Sequence, residues 1–148
     1  MARAPELADF TGRWSLERSI QDKRNRTRGR LTGEASFETE ERDMDPARTA
    51  LTYRESGQLT LDEAPSMLAT RNYLWRQGAG RIDVLFEDGR EFHSLAADLL
   101  MPDDTHHCAP DLYHVSYDFT RWPRWSSTWR VVGPAKDYRI CSEFRRRR

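Results

Sequence analysis

Two arginines sit among apolar residues at strand spacing, and they are the first candidates for chemistry. Taking every second residue from Phe10 gives Phe10, Gly12, Trp14, Leu16, Arg18 and Ile20, so Arg18 is the only formal charge on an otherwise apolar face. Arg71 precedes Tyr73 and Trp75 with the same alternation. A guanidinium removed from water without a partner is very costly, so an inward arginine predicts a carboxylate, a carbonyl or a ligand anion beside it. Glu55 shares a side with Tyr53 and would supply an internal partner. A carboxylate or phosphate on a bound ligand is the other solution. Tyr53, Tyr73, Tyr113 and Tyr117 fall on predicted inward faces, where their hydroxyls need partners. Arg18, Tyr53, Arg71, Tyr73, Tyr113 and Tyr117 therefore form the candidate ligand-binding set. They offer aromatic walls, polar tips and cationic anchors suited to an anionic or amphiphilic molecule. An ordinary aromatic core is the competing use of the same rings.

Other chemistry-bearing groups are weaker candidates. His106-His107-Cys108, followed by Asp111 and His114, gathers metal-type and nucleophile-type side chains in one segment. The spacing matches no standard zinc pattern and Pro110 interrupts it, so no metal site is expected. No signature supports a Cys108 nucleophile, and the segment reads as a polar loop leading into a strand. His93 depends on the turn before it. A two-residue Asp88-Gly89 turn pairs Val84 with His93 and faces His93 inward, whereas a three-residue loop from Glu87 to Gly89 pairs Val84 with Phe92. The second register buries Phe92 in place of Glu91 and His93, so it is preferred, with His93 outward beside Asp83. The basic run Lys23, Arg24, Arg26, Arg28 and Arg30 is followed by an acidic one of Glu34, Glu38, Glu40, Glu41, Asp43 and Asp45. Adjacent blocks of opposite sign offset each other at long range. No aromatic interleaves the basic run, so a nucleic-acid partner is not expected.

The elements that must position these groups are almost all strands. Period-two alternation marks residues 10–20, 30–38, 49–61, 69–77, 81–87, 91–95, 112–119, 124–132 and 136–144, about nine strands in all. Gly57 marks a bend or bulge, a short helix is expected at Pro5 to Asp9, and Arg145 to Arg148 reads as a frayed tail. Short turns between successive strands favour an antiparallel up-and-down barrel, with a β-sandwich as the alternative. The 148 residues fit one domain, 1–148. Acidic and basic residues balance at 24 each, which does not indicate a wholesale nucleic-acid or membrane surface. No apolar run approaches the ~18 residues of a membrane span. The opening MARAPELADF lacks a signal peptide's apolar stretch. Two cysteines cannot frame a disulfide fold, so a reduced, cytoplasmic location is expected.

Phe10-Thr-Gly12-Arg-Trp14 resembles the Gly-x-Trp opening of lipocalins and the wider calycin group. With FTGRWSLERSI, RNYLWR, the DGREFH hairpin, HHCAPDLYHVSYDF and GPAKDYRICSEF, the chain from Phe10 to Phe144 is similar to an uncharacterised calycin-like family, a domain of unknown function. The resemblance implies a barrel closed at one end by Trp14, with a late arginine packed over it, Arg139 or Arg145. It imports no known activity and leaves any cofactor unknown. The leading function is then small-ligand binding in the barrel lumen. The alternatives are a barrel-lumen enzyme with a histidine or tyrosine as acid or base, and a protein-interaction module with a filled core.

Overall fold

The computed structural model describes residues 3–40 and 49–147. Of the acidic run, Glu41, Asp43 and Asp45 lie outside the described residues. A 3-10 turn, Leu7–Phe10, leads into ten strands: β1 (Gly12–Asp22), β2 (Thr27–Thr39), β3 (Ala50–Leu61), β4 (Met67–Gly78), β5 (Arg81–Phe86), β6 (Glu91–Ala96), β7 (Asp103–Cys108), β8 (Asp111–Asp118), β9 (Trp125–Val132) and β10 (Asp137–Arg146). They form one antiparallel sheet in the order β6-β5-β4-β3-β2-β1-β10-β9-β8-β7. The two outer strands meet: the Ser94 N–H donates to Asp104 Oδ2 at 2.7 Å, and the Phe92 ring lies 5.3 Å from that of His106. No backbone ladder joins β6 to β7 among the described residues, so the barrel is nearly closed.

The alternation read from β1 is the alternation of the fold. Trp14, Leu16 and Arg18 are buried, while Arg13 and Glu17 are exposed. β2 and β3 stay in register through the facing pair Gly33 and Gly57. A Cβ on Gly33 would fall 2.1 Å from the Ser56 carbonyl oxygen, so the glycines permit a close approach of backbones and insert no extra residue.

Three expectations are corrected. The tenth strand is β7, taken from sequence as loop. Its DDTHHC sequence is exposed or half-buried throughout, so an edge strand of this kind carries no apolar alternation to read. The helix is shorter and later than expected, a 3-10 turn whose start is held by the Asp9 carboxylate accepting the Glu6 N–H at 2.8 Å. Arg145 and Arg146 belong to β10 and do not fray, because β10 pairs with β1 along its length.

The end near the 3-10 turn is sealed by aromatics. The Phe10 ring lies 4.9 to 5.6 Å from those of Phe37, Trp75, Phe119, Trp122 and Trp125. Trp14 donates its indole N–H to the Phe10 carbonyl at 2.9 Å. The opposite end is uneven. β4 begins at Met67, but its pairing with β5 starts only at Tyr73 opposite Phe86. Residues 67–72 thus stand above the β5–β6 hairpin without a ladder partner on that side among the described residues, leaving a notch in the wall.

Candidate functional site

Inside the barrel Arg18 is paired with Glu55. Arg18 donates to both Glu55 oxygens at 2.5 and 2.9 Å and to Ser142 Oγ at 2.8 Å. Tyr53 donates its hydroxyl to Glu55 Oε1 at 2.8 Å. Arg18 and Glu55 are 9% and 4% exposed, so this is a buried bidentate pair. Burial alone would raise the Glu55 carboxyl, but the Arg18 hydrogen bond and charge hold it below the ordinary carboxylate range. The Tyr53 hydroxyl is pushed well up by burial and by the Glu55 charge, so it stays a donor.

Arg71 lies directly opposite Glu55 in the β3–β4 register, yet it is exposed and forms no ion pair among the described residues. It lines the same cavity from the notch side, together with the half-buried Tyr73. Tyr117 is buried, and its hydroxyl lies 2.7 Å from His93 Nε2. Tyr113, the last of the predicted set, is half-buried outside the cavity. Lys136, paired with Asp111 at 3.0 Å, donates to its hydroxyl at 3.3 Å.

His93 is a correction. The Glu87–Gly89 loop forms as expected, closed by the Phe86 N–H donating to the Arg90 carbonyl at 2.8 Å, with Gly89 at φ 90°. The register then shifts between Val84 and Leu85, so Leu85 faces Glu91 while Val84 faces His93. Phe92 is the extra residue of this bulge, and both Phe92 and His93 turn toward the lumen. The bulge removes the choice between them. His93 is 7% exposed. Burial is the main cause that drives its pKa down to about 3, against the raising effect of Asp104. Since the unfolded imidazole protonates first on acidification, stability present at neutral pH is lost as pH falls from the unfolded value toward 3. A shallower loss of stability over that range in His93→Gln, followed by urea denaturation at successive pH values, is the expected result. Proton resonances showing an imidazole that titrates near 6.5 would refute it.

The cavity has a volume of about 50 Å3 and is open on the Arg71 side, and its wall includes Tyr53, Tyr73, Trp75, Phe92, Tyr117, Trp125, Trp129 and Phe144 besides the Arg18–Glu55 pair. His93 Nδ1 and Trp125 Nε1 are buried in that wall without hydrogen-bond partners among the described residues. Sequence reading missed Ser127 and Ser142, small polar residues set between inward apolar neighbours of β9 and β10; that interruption was the available signal. Among the described residues no group of three His, Cys, Asp or Glu side chains could hold a metal ion. Cys108 and Cys141 are both free thiols.

An aromatic lumen, a 3-10 turn and a tryptophan-sealed end define a calycin-like barrel. The arginine over Trp14 is neither Arg139 nor Arg145. Arg146 lies opposite Trp14 in the β1–β10 register and sets its guanidinium 4.0 Å from the indole ring, while donating to the Thr11 and Asp9 carbonyls at 2.8 and 2.6 Å. Arg145 pairs with Ser15 on the other face, and Arg139 pairs with Gln21 at the far end. The chain belongs to the family of unknown function DUF6314, whose profile matches residues 10–146. Its fold is similar to that of the S-type phycobiliprotein lyase CPES from Guillardia theta, with a TM-score of 0.65 at 9% identity over 93% of this chain and 88% of that one. No curated protein matches.

Proposed function

We propose that this protein holds a small amphiphilic or anionic molecule in the barrel lumen. The observation that carries the reading is the cavity itself, walled by aromatic faces and by two residues whose buried ring nitrogens have no partner among the described residues. Buried polar groups in native folds are nearly always hydrogen-bonded, so Trp125 Nε1 calls for an acceptor, and His93 Nδ1 for a partner that suits its tautomer, supplied by water or a ligand. Arg18 contributes oriented N–H groups from a neutralised pair, and Arg71 contributes net positive charge at the rim. The His93–Tyr117 contact supports a second reading, an enzyme using the pair as acid and base. Burial lowers the His93 pKa and raises that of Tyr117, keeping both neutral at pH 7. That state suits hydrogen bonding to a ligand better than proton transfer. A single domain over 1–148 and a cytoplasmic location complete the proposal. No described helix is long and apolar enough to cross a membrane.

Native mass spectrometry of freshly purified protein tests it. The expected spectrum shows a companion mass that is released on unfolding. A bare polypeptide mass, with no extract able to quench the fluorescence of Trp75, Trp125 and Trp129, would count against the reading.

A further inference from the structure

A cavity of about 50 Å3 holds a few waters at most, whereas sites for drug-sized ligands run to roughly 300 Å3 and above. A ligand with an aromatic body therefore needs one wall residue to yield. Trp75, Tyr53, Tyr117, Trp125 and Phe144 are 5% exposed or less and belong to the central core cluster. Phe92 differs from them. It is half-buried, it occupies the bulge of β6, and its ring lines the cavity and stacks on Trp129 at 5.0 Å, Phe86 at 4.4 Å and Tyr73 at 5.6 Å, the last two bordering the notch. The notch begins just beyond Tyr73, where β4 has no β5 partner among the described residues, and Tyr73 is one of the rings on which Phe92 stacks. Arg71 stands on the β4 side of that opening with no ion pair among the described residues, whereas Arg90 on the hairpin is paired with Asp88 at 2.7 Å and packs on Phe86.

We propose that Phe92 is the displaceable plug of a ligand passage at this notch, and that Arg71 is the anion subsite at its mouth. Resting on the lumen-binding reading, the proposal specifies the ligand and its orientation. The ligand is a flat apolar molecule with one carboxylate, sulfonate or phosphate. Its body replaces the Phe92 ring against Tyr73 and Trp129, and its anion stays outermost at Arg71. The anion does not reach Arg18, whose charge Glu55 already neutralises.

Two fluorescent probes sharing one ring system test this: 8-anilinonaphthalene-1-sulfonate, an anion, and the uncharged N-phenyl-1-naphthylamine. Energy transfer from the tryptophans reports a bound probe, and protection of that probe's emission from iodide quenching places it inside the lumen. Phe92→Ala is expected to bind both probes faster and at least about tenfold more tightly, because the plug no longer has to be displaced. Phe92→Leu serves if the alanine variant fails to fold. Arg71→Met is expected to weaken the sulfonate by about tenfold, the scale of a charge-assisted contact, and leave the neutral probe unchanged. Arg90→Met should change neither. If the probes bind with energy transfer and protection from iodide but Phe92 variants match wild type, the passage is elsewhere and lumen binding survives. Equal losses for both probes in Arg71→Met, or an equal effect of Arg90→Met, would overturn the anion subsite. Absence of energy transfer, or of that protection, in every variant would overturn this proposal and the lumen reading together.

Discussion

Glu55→Gln is expected to lower the unfolding free energy by about 3 to 5 kcal/mol, the cost of stranding one partner of a buried ion pair. The size follows from what remains. Arg18 keeps its charge at 9% exposure, retains Ser142 Oγ, and loses the anion that offset its desolvation. Tyr53 loses a charged acceptor as well. Replacing both charges, Arg18→Met with Glu55→Leu, should recover most of the loss, since buried pairs exchanged for apolar groups are often near neutral in stability. Acid should act like the single substitution. The folded Glu55 carboxyl titrates below its unfolded value, so its contribution is complete above the unfolded range and disappears as pH falls through the folded one. Urea denaturation of the single and double variants measures this directly. A single variant within about 1 kcal/mol of wild type would show that the pair is not structural.

Trp14→Ala should cost a similar amount, about 3 to 5 kcal/mol, as expected for truncating a wholly buried large aromatic. Its ring is 0% exposed, donates to Phe10, and lies beneath Arg146. Deleting it opens the sealed end and removes the platform on which Arg146 reaches the Thr11 and Asp9 carbonyls. Trp14→Phe should recover the packing while losing the indole N–H, for a smaller loss of about 1 kcal/mol from that hydrogen bond. Equal losses in the two variants would mean that packing contributes little at this position. A loss of probe binding in Trp14→Phe without a loss of stability would mean that the residue acts on the ligand and not on closure.

Much of the barrel was legible because its inward faces obey one rule. The alternation through Trp14, Leu16 and Arg18, or through Tyr73 and Trp75, identifies a face before any contact is known. The Arg18–Glu55 pairing was legible for the same reason: a charge on such a face demands a partner, and few carboxylates share a predicted inward side. What escaped was whatever period two does not encode. β7 has no buried face to announce it. The β6 bulge adds one residue, and one residue reverses which side chain points inward, so the right loop at Glu87–Gly89 still predicts the wrong side for His93. Arg146 rather than Arg139 or Arg145 packs on Trp14 because register between strands far apart in sequence decides it. Composition cannot supply that. Tyr113 sits on the inward parity but beyond the cavity, since parity fixes a side and not a depth.

The pairing of β1 with β10 has a consequence for how the chain reaches this state. Most neighbouring strands in the sheet are joined by turns or short loops and can zip locally, but this seam joins residues as distant as Arg18 and Ser142, 124 positions apart. Ordering that length of chain precedes any return from the contact, and such non-local topologies fold in milliseconds to seconds rather than microseconds. Until β10 arrives, β1 offers one bare edge and the Arg18 guanidinium lacks Ser142. A chain stalled before residue 137 is thus an open sheet with an unprotected strand, the form most prone to pair with another copy of itself.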